Sequence, residues 1–434
     1  MKLDLARNTA VKILYDIYEK NAYSNVALNK AFSANAALSV LDRSFATELV
    51  YGTIKYTITF DWLIAQYSKV KFHKISKWIL VILRMGLYQI FFMDKVPYSA
   101  ACNESVKLAE HYGHQGSKGF VNGILRSILR DTEGNIAMVK FPSMAVRYGY
   151  PDWMVAAFQE DYGEDCTLEI LKAYEKPARF SIRANRLQCT REGLLNRLQE
   201  AGVTATASKL TKDGVLLEHA SDVTKVPGFA EGWFYVQGES SMLVGQIAEP
   251  KAGDAVLDLC SAPGGKATHA AELMGNTGVV IAGDIYAAKL DKVNESAKRL
   301  GITILKTIQQ DASCFVPDYE EKFDCVIADV PCSGLGILRK KPEIRLQRTE
   351  NDILELLPLQ QKILDCAARY VKPGGTLIYS TCSILKRENE AQVVSFLKEH
   401  EEFVLCEKES PMAIMPQTYE TDGFFIAKMK RRTV

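Results

Sequence analysis

Histidine is scarce, with six in 434 residues, and although there are ten cysteines, no two form a Cys-x-x-Cys pair. Structural zinc sites are built on such spacings, so none is expected, and no metal is called for. The irregular cysteine spacing also excludes a disulfide framework and fits a reducing cytosol. The one close histidine pair, His111 and His114, lies beside glycines and reads as a solvated turn. Long apolar runs are missing as well: Trp78 to Met93 comes nearest and is interrupted by Arg84, short of the roughly 18 uncharged residues of a membrane span. The opening MKLDLARNTA has no apolar core of a signal peptide, so a cytoplasmic protein without membrane contact is expected. No internal repeat or low-complexity tract is present.

What is present is a globular composition, 47% apolar, in a chain long enough for two or three cores. The net charge of +1 conceals an asymmetry. Residues 1–140 hold 18 Lys and Arg against 11 Asp and Glu, a balance of +7, and the remainder holds 35 against 41, a balance of −6. The first third is therefore the candidate for touching a polyanion, with basic clusters at Lys69, Lys71, Lys74 and Lys77 and at Arg126 and Arg130.

Three fold regions follow from periodicity. Residues 1–145 read as five to seven short helices packed as a bundle, including Leu5 to Tyr18, Arg43 to Tyr56 and Phe60 to Tyr67, with breaks at Val96-Pro97 and Gly113 to Gly119. An irregular stretch bracketed by Pro142 and Pro151 opens the second region, 146–238. There, strands at Phe180 to Ala184, Thr204 to Ala207, Gly214 to Glu218 and Trp233 to Gln237, with a helix at Arg191 to Ala201, predict a small α+β module of ferredoxin-like or RNA-recognition-like type. Residues 239–434 alternate strands and helices as a doubly wound, Rossmann-like α/β domain. Its strands are expected at Ala255 to Leu259, Val279 to Asp284, Ile304 to Ile308, Asp324 to Asp329 and Thr376 to Ser380, with a closing pair at Phe403 to Cys406 and Gly423 to Met429. The helices between them are expected at Lys266 to Met274, Ala287 to Leu300, Asn351 to Tyr370 and Glu388 to His400.

In this last region the run FDCVIADVPCSGLG places Asp329 and Cys332 just beyond a buried strand, at the edge where open α/β sheets bind ligands. The run GGTLIYSTCSILKRENEA places Cys382 at the same edge. The first strand leads into CSAPGGK, Cys260 to Lys266, whose glycines permit close backbone approach at a helix N-terminus. A P-loop would need glycine at Cys260 and a hydroxyl at Ala267, and the Gly-x-Gly-x-x-Gly dinucleotide fingerprint is absent. An acid ends each of four successive strands: Asp258, Asp284, Asp311 and Asp329. Asp284 suits ribose hydroxyls and Asp311 an adenine amine, so the set favours a nucleoside cofactor without pyrophosphate, S-adenosylmethionine. Two thiols beside a methyl donor suit pyrimidine carbon 5, which is too weak a nucleophile until a thiolate adds to carbon 6. Asp329 could hydrogen-bond the Watson–Crick edge of cytosine. The attacking thiol needs a helix N-terminus or a cation to lower its pKa, and Lys266, Lys386 and Arg387 are the candidates.

The run from Arg84 to Leu129, with Tyr88, Pro97, Asn103-Glu104-Ser105 and Phe120-Val121-Asn122, resembles the NusB family of RNA-binding antitermination factors, which implies an RNA-binding helical domain. The runs DLCSAPGGKAT, ADVPCSGLG, RKKPEIRL, YSTCS and DGFFIAKMK resemble the RNA cytosine-5 methyltransferases of the Sun/Fmu (RsmB) type, which carry a NusB-like domain in front of the catalytic one. That resemblance implies methylation of one cytosine in 16S ribosomal RNA. Because the base must be unstacked to enter the cleft, free or partly assembled RNA is the expected substrate, and a monomer is expected. The resemblance further implies Cys382 as nucleophile and Cys332 in product release, with the donor held by Cys260, Ser261, Ala262, Pro263, Gly264, Gly265, Lys266, Asp284, Asp311 and Asp329. Two positions depart from the family pattern. In QGESS, Gln237 to Ser241, an acid usually follows the glutamine, and Lys341 in RKKP stands where an imidazole is common, a position read as facing substrate. Transfer RNA as substrate, or a non-catalytic RNA-binding assembly or antitermination factor, are the alternatives.

Overall fold

The computed structural model describes residues 3–218, 223–406 and 411–433. The chain forms two compact units: residues 1–171 with 340–348, and residues 172–339 with 349–434.

The first unit is helical. Its helices are Leu5–Lys20, Ser24–Ala34, Val40–Lys55, Thr57–Tyr67, Lys77–Phe92, Tyr98–Tyr112, Ser117–Thr132, Met144–Tyr148 and Asp152–Tyr162. The first starts where the Asp4 carboxylate accepts from the Arg7 amide at 2.8 Å, and the third where Ser39 and Asp42 form a reciprocal capping box. Lys77–Phe92 is the central helix: twelve of its sixteen residues are buried, which explains a sequence too apolar to show a polar face. Its Arg84 is not stranded, because its guanidinium forks onto the Asp61 carboxylate at 2.6 and 2.7 Å. The stretch 142–151, expected to be irregular, contains the helix Met144–Tyr148, and Pro151 caps Asp152–Tyr162, which Glu164–Glu175 follows. Proline at a helix start loses no hydrogen bond, so here it begins structure where a breaker was expected. The gap at Gly113 is likewise shorter than expected, since the helix resumes at Ser117 and carries Gly119 and Gly123 within it.

The second unit contains both sheets. The small one comprises β1 (Phe180–Ala184), β2 (Ala205–Ala207), β3 (Gly214–Leu217) and β4 (Phe234–Val236), antiparallel in the order β2-β3-β1-β4, with the helix Arg191–Glu200 packed on it. The large one comprises β5 (Ala255–Asp258), β6 (Val279–Asp284), β7 (Leu305–Gln309), β8 (Phe323–Asp329), β9 (Val371–Thr381), β10 (Phe403–Leu405), β11 (Met412–Ile414) and β12 (Phe424–Arg431). Its order is β10-β12-β9-β8-β5-β6-β7, with β11 on β12. Strands β5 to β9 run parallel and the last three are antiparallel, so the sheet is mixed. The apolar runs of β5 and β8 are buried on both faces, as parallel strands under helices must be. Strand β9 begins five residues before the expected Thr376, but Lys372 to Gly375 interrupts the ladder between Phe323↔Val371 and Cys325↔Thr376, with Gly374 at φ +76°. Strand β11 was not expected; it is three residues long and too short to show a period. The helix expected from Glu388 opens as the 3-10 turn Lys386–Glu388 and becomes α-helical over Glu390–Glu399. Among the described residues no helix is long and apolar enough to cross a membrane.

Candidate active site

Strands β8 and β9 are neighbours with Asp329 opposite Ser380, so the loops that leave them begin side by side. The Sγ atoms of Cys332 and Cys382 are 3.2 Å apart and partly accessible. Close backbone packing holds the loops. The Gly336 amide donates to the Cys382 carbonyl and the Gly423 amide to the Gly336 carbonyl, both at 2.8 Å. A Cβ on Gly336 would lie 1.9 Å from the Gly423 oxygen, so only glycine fits.

The Asp329 carboxylate is held at both oxygens, Oδ2 by Lys266 Nζ at 2.5 Å and Oδ1 by Ser380 Oγ at 2.7 Å. Burial alone would lower the pKa of Lys266. Its contact with Asp329 outweighs that and holds the ammonium above its usual range, with Asp258 and Cys382 adding to the pull. Of the three cations named as candidates to activate a thiol, Lys266 is within electrostatic reach of Cys382, and Arg387 faces Glu350 at 3.5 Å. The Cys332 thiol is pushed well up by its hydrogen bond to Cys382, by burial, by the charge of Cys382 and by Glu388 and Asp329. Cys332 therefore keeps its proton.

On the other side of β8, the turn after β5 passes Gly264 at φ +99°, where a Cβ would sit 3.0 Å from Val293 Cγ1. The helix Gly265–Leu273 begins directly after it. Asp258 is fully buried, and burial pushes its carboxyl up to about 7 against the opposing pull of Lys266. Burial and the four surrounding carboxylates also push the Cys260 thiol up. The amide of Tyr286 donates to Asp284 Oδ1 at 3.0 Å, and both the amide and the hydroxyl of Ser313 donate to Asp311 Oδ1, at 2.9 and 2.7 Å. None of the four strand-end acids caps a helix.

Sequence reasoning missed two polar residues in this region. Arg183, inside β1, is fully buried and reaches the cofactor turn: its guanidinium donates to the Gly265 carbonyl at 2.8 Å, to Thr268 Oγ1 at 3.2 Å, to the Gln237 side chain, and to Glu272 at 2.7 and 3.1 Å. The other, Glu388, is buried between the two thiol loops. The QGESS departure has a local account: Gln237 bridges Arg183 to the Ser241 carbonyl and hydroxyl at 3.2 Å, and the buried Glu239 accepts from Ser208 at 2.6 Å. Lys341 lies in the helical unit, with Nζ 5.8 Å from the Tyr23 ring centroid. Of the basic residues singled out there, Lys77 pairs with Glu19 at 3.2 Å and Arg126 bonds Asn122 at 2.8 Å. Arg130 meets Asp131 at 3.2 Å, and Lys69, Lys71 and Lys74 are exposed around a 3-10 turn.

A mixed sheet whose parallel strands β5 to β9 carry acids at their ends beside a glycine turn defines a Rossmann-like S-adenosylmethionine-dependent methyltransferase domain. The residues present fit that donor, since carboxylates at Asp284 and Asp311 accept from hydroxyl and amine groups and would repel phosphates. Comparison narrows the class. The model of the 16S rRNA methyltransferase RsmB/F family matches residues 245–430, that of the NusB family 4–130, and that of the RsmF/B-like ferredoxin-like domain 150–224. The chain is 38% identical over 443 residues to the probable ribosomal RNA small subunit methyltransferase B of Synechocystis sp., covering 98% of this chain and 99% of that one. It is 35% identical to its counterpart from Bacillus subtilis over the whole of both chains. Among solved structures, PH0851 superposes with a TM-score of 0.83 at 28% identity over 99% of this chain and 100% of that one. A methyltransferase homolog protein from Pyrococcus horikoshii gives 0.60 at 30% identity over 67% and 100%. The chain belongs to the RsmB/F family of 16S rRNA methyltransferases.

Proposed function

We propose that this protein transfers a methyl group from S-adenosylmethionine to carbon 5 of one cytosine in 16S ribosomal RNA through a covalent enzyme–RNA adduct. The observation that carries the reading is the 3.2 Å approach of the Cys332 and Cys382 sulfurs at adjacent strand ends, next to the acid-lined turn. Cys382, within the field of Lys266, adds as a thiolate to carbon 6 of the base and makes carbon 5 nucleophilic. The donor, when bound, supplies an electrophilic methyl group. Asp329, fixed by Lys266 and Ser380, faces the Watson–Crick edge and stabilises the base protonated at N3. Loss of the carbon 5 proton and expulsion of Cys382 then release 5-methylcytosine, with Cys332 assisting that elimination. Cys260 to Lys266, Asp284 and Asp311 hold the donor. The base must leave its stack to reach the thiols, which favours free or partly assembled RNA. In the same reading the chain divides near residues 145 and 238, and the N-terminal helical domain binds the RNA. Bisulfite sequencing of ribosomal and transfer RNA from cells with and without this protein tests the proposal: one protected cytosine in 16S RNA is expected to disappear. A loss confined to transfer RNA, or no loss at all, overturns it.

A further inference from the structure

The two thiol loops share a pattern that the proposed chemistry does not use: Cys332-Ser333-Gly334-Leu335 and Cys382-Ser383-Ile384-Leu385 are both Cys-Ser-x-Leu. In each, the serine hydroxyl accepts from the amide two residues on, Leu335 at 3.4 Å and Leu385 at 3.1 Å. Each hydroxyl is thereby turned so that its own proton points away from its loop. Both hydroxyls meet one carboxylate, Glu388, whose Oε2 receives Ser333 Oγ and Ser383 Oγ at 2.5 Å each, and the two hydroxyl oxygens also lie 3.1 Å from one another. Its Oε1 receives the Ser333 amide at 2.8 Å and Gln360 Nε2 at 3.1 Å, and Gln360 also donates to the Pro331 carbonyl at 3.0 Å. The backbone of Glu388 is fixed in turn, its carbonyl accepting from Tyr379 OH at 2.6 Å. Asn389, next in sequence, closes the second loop by donating to the Ser383 carbonyl at 3.1 Å and accepting from Thr381 Oγ1 at 2.5 Å. Glu388 is fully buried and accepts from four donors, three of them on the residues that immediately follow the thiols.

We propose that Glu388 is a positioning residue, a carboxylate latch that sets the separation of the two thiols by clamping Ser333 and Ser383 to a single point. The inference rests on the reading of Cys332 and Cys382 as the reacting pair, but its geometry does not. The charge matters as well as the shape. Glutamine at this position would present an amide donor to two hydroxyls already aimed at it, so an isosteric change converts two of the four contacts from attraction to conflict.

The test compares wild type, Glu388→Gln, Ser383→Ala and the double variant in two assays. The first follows formation of the Cys332–Cys382 disulfide by peptide mapping after treatment with diamide, in which the two thiols lose two electrons and two protons to the azo bond. The second follows methyl transfer to 16S RNA. Glu388→Gln is expected to slow disulfide formation at least tenfold and to lower kcat at least tenfold. The KM for S-adenosylmethionine should stay within twofold, a split that general destabilisation would not produce. Ser383→Ala is expected to show a smaller loss in both, and the double variant to be no worse than Glu388→Gln alone. Oxidation and kcat within twofold of wild type in Glu388→Gln, or strictly additive losses in the double variant, overturn the latch. Should Glu388→Gln fail to fold, Ser383→Ala alone decides by the same two readouts. A wild type that oxidises rapidly but transfers no methyl group overturns the proposed reaction while leaving the latch to be judged by the oxidation series.

Discussion

Replacing Arg183 by methionine removes the cation paired with Glu272, and both side chains have no exposed surface. The guanidinium makes two bonds to that carboxylate and three more to the cofactor turn and its flank. Breaking a buried pair from one side costs about 3–5 kcal/mol because the abandoned charge has no solvent to turn to. For a unit of this size that corresponds to a fall in Tm of roughly 10 °C. Burial already holds the Glu272 carboxyl above its ordinary range against the pull of Arg183, and without Arg183 it rises further. A carboxyl whose folded-state pKa lies above its unfolded value binds the proton more tightly when folded, so its ionisation withdraws stability as pH rises. The deficit of Arg183→Met should therefore be small near pH 5 and full at pH 8. Urea denaturation at the two pH values measures it, and the double variant Arg183→Met with Glu272→Leu should recover most of the loss and its pH dependence. A deficit under 1 kcal/mol at pH 8, or a double variant no more stable than the single one, would refute the reasoning. Because Gly265 and Thr268 lose their clamp, titration calorimetry should also show weaker binding of S-adenosylmethionine by the single variant.

Cys382→Ala should abolish methyl transfer, whereas Cys332→Ala should accumulate a protein–RNA adduct that survives a denaturing gel; the adduct appearing with Cys382→Ala would reverse the two roles. Asp258→Asn should flatten a pH dependence of stability: with the carboxyl moved from its ordinary 3.8 to about 7, wild type loses on the order of 4 kcal/mol as pH rises between those values. The asparagine variant should melt higher than wild type at pH 8 and no higher at pH 4, as read by calorimetry. Asp284→Asn, which keeps the bond from the Tyr286 amide but halves the capacity to accept, should weaken S-adenosylmethionine by roughly tenfold in titration calorimetry, consistent with the 1–3 kcal/mol of a charged hydrogen bond.

The strand ends were legible because parallel strands buried on both faces must be apolar runs that stop abruptly: Val279–Asp284 has the expected limits, and β8 differs from them by one residue. Asp258, Asp284 and Asp329 stand out for the same reason, each being the first charge after such a run, whereas Asp311 follows the more exposed β7, which carries Lys306. Arg183 and Glu388 gave no comparable signal. A single arginine in FSIRA reads as the solvent face of a period-two strand, and a glutamate in LKRENE reads as one charge of an exposed helix start. Their burial depends on partners 89 and 55 residues away, Glu272 and Ser333, which no local pattern reveals. Pro151 misled in the opposite sense, since the same residue that ends a helix from inside begins one at its cap.

The assignment of residues 340–348 to the helical unit bears on how such a protein can be inherited. The chain leaves the catalytic unit after Arg339 and returns at Thr349, and between them Glu343 accepts from the amide and hydroxyl of Ser24 at 3.0–3.1 Å. Arg345 donates to the carbonyls of Lys55 and Tyr148 at 3.2 Å. A gene fragment that encoded only the portion after Leu171 would carry an ion-bearing strip stripped of its hosts, and a foreign N-terminal cassette grafted at one junction would have no berth for it. Exchange of the front module by simple fusion is thereby penalised, so the two pieces are bound to change together.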